Sequence, residues 1–435
     1  MKLKFWMIIF CVPTLLGVGN ASAVLDYGFG SQTSVVGNYQ RVSKKVVDAY
    51  SYVMNPSRLG ELRKPYVSFG FLGTYGDFLP IKDVVIGNHD TGKEFRIGDV
   101  STDYDETLGG SFALVLPLRE KWPHIAFGCG GFLPFGDLMK VKLSSLNYIP
   151  SYPMYDGRTQ RPSILASLGL HPFPNFYVGF GTNFYFTQTA QAYLDLNPDN
   201  PGQIINMQVR NNVSPLVSLS YITDDLAMSF NYRGKSDYKT ETLSIADVNA
   251  SLDGKTASLP TQFILNGSSF YDPHEVELGV GLPLWKKLSF SSSLTWQMWA
   301  LQENPLGQFE SSIGSSAEDF KYRDTVVAKI GLNWNQGIYS LRSGYFYSPT
   351  HVPDQSDSNL NILDTNKHVF TLGAGFQLDS ILGAIDHPMG FDLHMQYHAL
   401  EEKQVDKIHP DQVGGGGYRI GGRFFTYGLS MSMEL

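Results

Sequence analysis

The sequence is 435 residues long with a formal net charge of −8, and only 17% of it is charged while 13% is aromatic. An acidic chain of this kind is not a nucleic-acid binder, because phosphate recognition needs a basic surface. The charged fraction also falls below the roughly 25% of ordinary soluble domains.

In chain order, the first signal is one of export. Lys2 and Lys4 precede an apolar run over 5–18, and Ala21-Ser22-Ala23 follows, so residues 1–23 read as a cleavable signal peptide. The run is shorter than the roughly 20 residues a membrane-spanning helix needs. Cys11 lies within this segment, and Ile9-Phe10 before it do not form a lipoprotein cleavage box. The mature chain then keeps Cys129 alone, so no internal disulfide is expected. No later apolar run reaches spanning length. An exported, aromatic-rich chain without such a helix points to a β-barrel, since only helices and closed barrels satisfy their backbone groups in lipid.

Residues 24–64 are too many for a plain lead-in and too polar to cross lipid. A short helix is expected near 42–54, ending at Asn55-Pro56. The segment is either a periplasmic extension or a plug inside the lumen, for which a large barrel has room.

From 65 to 435 the period-2 pattern predicts fourteen strands, near 65–75, 107–118, 124–133, 163–171, 175–187, 212–222, 226–239, 272–282, 287–299, 323–334, 338–348, 367–378, 390–401 and 419–435. In the tenth, Val326, Ala328, Ile330, Leu332 and Trp334 share one face, and Thr325, Val327, Lys329, Gly331 and Asn333 the other. The connections alternate in length. Long ones fall at 76–106, 134–162, 188–211, 240–271, 300–322, 349–366 and 402–418, with short turns between most of them. Outer-membrane barrels are trimmed in this way on the periplasmic side. The fold expected is an all-β, fourteen-stranded antiparallel transmembrane barrel.

Candidate functional residues follow from parity. Gly128, Gly130 and Gly131 precede Phe132-Leu133-Pro134 in the third strand. Such a run either weakens the ladder or makes room for bulky neighbours. Arg233, Lys235, Lys329 and Arg342 fall on the lumen side. Each is either a partner for a ligand carboxylate or an ordinary lumen charge facing an acid such as Asp237. His394 and His398 share a face, but residues four apart on a strand stand roughly 13 Å from each other, too far to share a metal. The ten histidines lack metal-ligand spacing and no serine occupies a nucleophile elbow. No enzyme activity, metal or cofactor is expected.

Several motifs resemble the FadL-type outer-membrane transporters of long-chain fatty acids and other hydrophobic compounds. They are Gly28-Phe29-Gly30-Ser31 through Ala49-Tyr50 to Asn55-Pro56-Ser57; Tyr232-Arg233 with Asp237-Tyr238-Lys239; and Phe320-Lys321 with Arg323-Asp324, then Ser348-Pro349 through Val352-Pro353. The resemblance covers essentially the whole mature chain. It implies an N-terminal hatch over 24–64, carrying Asn55 and Pro56, within a barrel of 65–435. It also implies passive delivery sideways through a lateral gate near the third strand, at Gly128, Gly130, Gly131 and Pro134. Lys321 matches a lysine that contacts a carboxylate in the family, which makes Lys321, Arg233, Arg342 and Lys329 the candidate ligand-binding set. The chain departs from the family in three places. Ser57 replaces the usual alanine, the fifth strand offers Phe184-Tyr185-Phe186-Thr187 where a basic residue is usual, and the 188–211 connection is shorter.

The function expected is uptake of hydrophobic small molecules, long-chain fatty acids first, across the outer membrane of a Gram-negative bacterium. The alternatives are aromatic-hydrocarbon uptake and a structural or adhesive barrel without transport. A general porin would instead hold an open water channel. The expected partners are the hydrophobic ligand, outer-membrane lipid and the barrel-insertion machinery, with no nucleic acid and with the chain as a monomer. Barrels usually end in an aromatic residue that the insertion machinery reads; this chain ends in Leu435.

Overall fold

Alternating side chains can satisfy lipid on one face and water on the other only if the sheet they build has no free edge. In the computed structural model it has none. The structure describes residues 48–88, 93–102, 104, 106–118, 125–136, 162–195, 202–252, 255–302, 309–311, 314–316, 321–357, 362–379, 387–408 and 417–435. The signal peptide and residues 24–47 lie outside the described residues.

Fourteen strands form the wall: β1 (Tyr66–Phe78), β2 (Thr107–Pro117), β3 (Ile125–Pro134), β4 (Ser163–Phe173), β5 (Phe176–Asp195), β6 (Gly202–Ile222), β7 (Ala227–Arg233), β8 (Glu275–Trp285), β9 (Leu288–Gln297), β10 (Thr325–Gln336), β11 (Tyr339–Ser348), β12 (Lys367–Leu378), β13 (Met389–Val405) and β14 (Tyr418–Glu434). Each pairs antiparallel with its sequence neighbours, and β14 returns to β1 from Tyr66↔Glu434 to Phe78↔Gly422. Side-chain parity follows the sequence pattern. On β10, Val326 and Ile330 are about half exposed, whereas Thr325, Val327 and Asn333 are buried toward the lumen.

Four expected loops contain more strand than the periodicity predicts, the 300–322 connection holding Phe309–Ser311 paired with Gly314–Ser316. The 76–106 connection holds a hairpin of Ile81–Asn88 with Lys93–Val100. The 240–271 connection is mostly a hairpin of Ser236–Leu252 with Lys255–Asp272. β5 and β6 continue through most of 188–211, pairing as far as Asp195↔Gly202. The hydrophobic alternation that marks a wall strand is missing from the sequence of these extensions, so a period-2 test passes over them.

Ahead of β1, residues 48–62 pack inside the cylinder. Asp48 caps a short helix, α1 (Ala49–Met54), by accepting from Ser51 N at 3.0 Å. The helix stops at Asn55 because a residue before proline is driven out of the helical region; its φ and ψ are −120° and 85°. One 3-10 turn, Pro56–Glu61, leads on toward the wall. The segment is pinned to inward-facing serines. Ala49 N donates to Ser68 Oγ (2.8 Å), Tyr50 Oη meets Ser111 Oγ (2.8 Å), and Ser57 N donates to Ser218 Oγ (2.6 Å). The Ser57 hydroxyl also meets Ser220 Oγ and donates to Asn55 Oδ1. An alanine in that position could make neither bond. Tyr50, Val53, Met54 and Leu59 then join Leu72, Val115, Phe132, Leu165 and Leu216 in one buried apolar cluster.

Glycine makes this approach possible. A Cβ on Gly179 would lie 2.1 Å from both Pro56 C and Ser57 N. Gly179→Ala is therefore expected to displace the Asn55–Ser57 turn and destabilise the barrel by about 1–3 kcal/mol, the usual cost of overpacking. Urea unfolding in detergent micelles, followed by tryptophan fluorescence, measures this directly.

Candidate functional site

The lumen has three chemically distinct parts. At the end opposite the short turns an apolar cap gathers Tyr271, Trp299, Tyr322, Val352, Leu363, Tyr418 and Phe424 with Ile81 and Val84. Its connections come from several separate loops, so it covers the mouth. His351 is stacked on Trp299 at 3.9 Å between centroids and tilted against Tyr322 at 5.3 Å. Beneath it Asp364 is fully buried and accepts from Thr350 Oγ1 and Lys367 Nζ, both at 2.6 Å, with His351 Nδ1 at 3.2 Å. Burial alone pushes the Asp364 carboxyl up, but Lys367 and His351 together hold it below the ordinary carboxylate range. Burial, and secondarily Asp364, raises the Tyr322 phenol, which stays neutral.

The second part is the polar wall of β7 to β13. Arg233 Nη2 holds Glu275 Oε2 at 2.5 Å, and Lys329 Nζ stands 3.6 Å from Glu277 Oε2. Arg342 Nη1 holds Asp392 Oδ1 at 2.5 Å while its Nη2 donates to Ser340 Oγ. Glu277 also accepts from Asn231 and Thr295, both at 3.2 Å. Glu275 accepts from Gln297 Nε2, whose Oε1 in turn accepts from Thr325 Oγ1 and from Trp299 Nε1 of the cap. A small cavity lies between this wall and the inner segment, lined by Met54 and Pro56 on one side and Arg233, Glu275, Glu277 and Lys329 on the other.

The third part is β3 and what covers it. Gly128, Gly130 and Pro134 face inward, and Gly131 faces outward. A Cβ on Gly128 would stand 3.1 Å from Leu59 Cδ2 and 3.2 Å from Val53 Cγ2, so the inner segment rests on this stretch of wall. β3 pairs with β2 from Pro117↔Ala126 to Gly109↔Pro134, and with β4 from Ile125↔Leu170 to Phe132↔Ser163.

Three of the four candidate ligand-binding cations thus lie on one polar wall, each with a carboxylate partner. Lys321 is apart from them, exposed just before β10 near the mouth. Sequence reasoning passed over the partners Glu275, Glu277 and Asp392. Strand register was the missing signal, since Arg233 pairs directly with Glu275 across β7 and β8. It also passed over Asp364, His351 and Lys367, whose meeting depends on how an irregular loop folds. Among the described residues, no group of three or more histidine, cysteine or acidic side chains is arranged to hold a metal.

Residues 179–420 match the family described as outer membrane protein transport protein (OMPP1/FadL/TodX). The chain belongs to this family. It is accordingly a barrel of the Gram-negative outer membrane, in a family that transports hydrophobic compounds. No curated relative matches it in sequence. Among solved structures it is similar to a Pseudomonas aeruginosa FadL homologue, at 16% identity and a TM-score of 0.54 over 96% of this chain and 98% of that one. It is similar to the P. putida toluene transporter TodX at 14% identity and a TM-score of 0.55, covering 94% and 99%. A monoaromatic hydrocarbon channel, CymD, matches at 12% identity and a TM-score of 0.53, covering 94% and 98%. At these identities the likeness is one of fold. The short turns are the periplasmic ones, which puts the cap on the extracellular side.

Asp364→Asn leaves Lys367 buried without its charge partner and is expected to cost about 3–5 kcal/mol, read as faster proteolysis of the 349–366 loop in intact cells. The sign of the pH effect follows from the lowered carboxyl. Its stabilising contribution is full above the ordinary aspartate value of about 3.9 and fades only as pH falls through the lower folded value. Protease resistance of the wild-type cap should therefore hold down to pH 4, and that of the asparagine variant should be low at every pH.

Proposed function

We propose that this barrel admits uncharged hydrophobic molecules, aromatic hydrocarbons among them, in preference to free fatty acids. The observation that carries the reading is that Arg233, Lys329 and Arg342 already face Glu275, Glu277 and Asp392. Recruiting one of these cations for a ligand carboxylate would leave a buried acid without its partner, at a cost of about 3–5 kcal/mol. A neutral ligand demands no such exchange. The absence of a basic residue from Phe184-Tyr185-Phe186-Thr187 supports the same choice. TodX and CymD, by their descriptions a toluene transporter and a monoaromatic hydrocarbon channel, share the fold as closely as the FadL homologue does. Lys321 favours a second reading, a long-chain fatty acid held by its carboxylate at the mouth.

In this proposal residues 24–64 are the hatch, with Asn55-Pro56 as its turn, and the lateral gate lies at Gly128, Gly130, Gly131 and Pro134. Below the cap an apolar ligand faces Glu277, Thr295, Lys329, Arg342 and Asp392 on one side, an unfavourable route to the periplasm. On the other side Val53 and Leu59 cover Gly128 of β3. Displacing those two side chains opens an apolar path toward lipid, and transfer runs down the ligand's own gradient. The working unit is one chain.

Uptake of radiolabelled toluene and oleate by a Gram-negative host lacking its own carriers of this family tests the reading. Expression of this protein is expected to raise toluene uptake several-fold and oleate uptake little. Oleate uptake alone, lost in Lys321→Ala, would establish the fatty-acid reading instead. Unchanged uptake of both would leave a structural barrel.

A further inference from the structure

The outer surface of the wall carries a feature that ligand passage does not use. Between β9 and β13 the lipid-facing side is indented into a shallow open groove of about 640 Å³. Its floor is made by small residues, Ser343, Gly373 and Ala374, and its rims by Leu332, Trp334, Leu341, Leu372, Leu393 and Met395. The register aligns them in two adjacent rows, Trp334↔Leu341↔Ala374↔Leu393 and Leu332↔Ser343↔Leu372↔Met395. Both rows lie a few residues from the β10–β11 turn, hence in the periplasmic leaflet.

The periplasmic end of this groove is basic. Leu288 lines it and pairs with Trp334, and immediately before Leu288 stand Lys286 and Lys287, both exposed. Lys287 is fastened there, its carbonyl accepting from Asn335 N at 2.7 Å. Trp285, the most exposed large hydrophobic among the described residues, stands beside them at 73%. Tryptophan of this kind settles at the headgroup level of a bilayer. Among the other described periplasmic turns, Thr223–Leu226 carries Asp224 and Asp225, while Pro172–Asn175 and Asn335–Ile338 carry no charge. In a chain of net charge −8, two adjacent lysines at the mouth of an apolar groove are a local reversal of sign.

We propose that this groove binds one phospholipid with an anionic headgroup from the periplasmic leaflet. An acyl chain lies over Ser343 and Ala374, and the phosphate is held by the Lys286-Lys287 turn. A groove facing hydrocarbon is filled by an acyl chain in any case; the two lysines are what make it select among lipids, each contributing through the attraction of a juxtamembrane cation for anionic headgroups. The site lies outside the barrel and does not depend on which ligand passes through the lumen.

Native mass spectrometry of the purified full chain, released from mixed micelles holding equal phosphatidylglycerol and phosphatidylcholine with identical acyl chains, reads the site. Phosphatidylglycerol is expected as the dominant single adduct. In Lys286→Gln/Lys287→Gln its preference should fall by roughly tenfold or more, the effect of two cations near an anionic surface. Ala374→Phe, which fills the floor from the lipid side, should lower retention of both lipids. Ser343→Leu does the same if Ala374→Phe does not fold, as judged by heat-modifiable migration. Equal retention of the two lipids by the wild type, or adducts unchanged in both the lysine and the groove variants, would overturn the proposal.

Discussion

Everything in this molecule depends on one constraint: a peptide group in hydrocarbon has no water to bond with, so its partners must come from the chain itself. The antiparallel ladder supplies them around the whole wall, and the pairing of β1 with β14 removes the edges that an open sheet would leave. The two-residue repeat is the second half of the same constraint. It sends Val326 and Ile330 outward and Thr325, Val327 and Asn333 inward without any further instruction. Because lipid solvates the outer face, the strands need no apolar core between them, and the lumen is free to carry polar and charged chemistry.

That freedom is used unevenly. The side of the lumen built by β1 to β6 carries small residues, the hydroxyls of Ser68, Ser111 and Ser218 among them, and residues 48–62 fill it through Tyr50, Val53, Met54 and Leu59. The facing side, built by β7 to β13, holds ion pairs whose buried acids Glu275 and Glu277 also accept from Gln297 and Thr295. Paired in this way, the charges of that side largely cancel.

How much of this was legible in the sequence differs from part to part. The wall strands were legible because lipid imposes an apolar side chain at every second position, a pattern strong enough to place β10 at Thr325–Gln336 against an expected 323–334. The extended hairpins were not. In Thr187-Gln188-Thr189 or Thr240-Glu241-Thr242 the apolar alternation vanishes from the sequence although the backbone is still strand. The site was half legible. Parity put Arg233, Lys329 and Arg342 inside, but their acids come from other strands, and partners across strands are set by register. The loop that brings Thr350, His351 and Asp364 together follows no period at all, so nothing in residue spacing announces it.

The order of the chain around the ring has a consequence for assembly. Residues 48–62 are made before β1, yet they end up enclosed by a ring whose last seam joins β1 to residues 422–434. Glu434, one residue from the end, meets both Lys64 and Tyr66, and Leu435 N donates to Pro65 O. Only Arg63, Lys64 and Pro65 separate the enclosed stretch from β1. Ser68 lies on that seam and meets Ser432 Oγ while accepting from Ala49 N, so the closure of the ring and the anchorage of what it encloses share one hydroxyl.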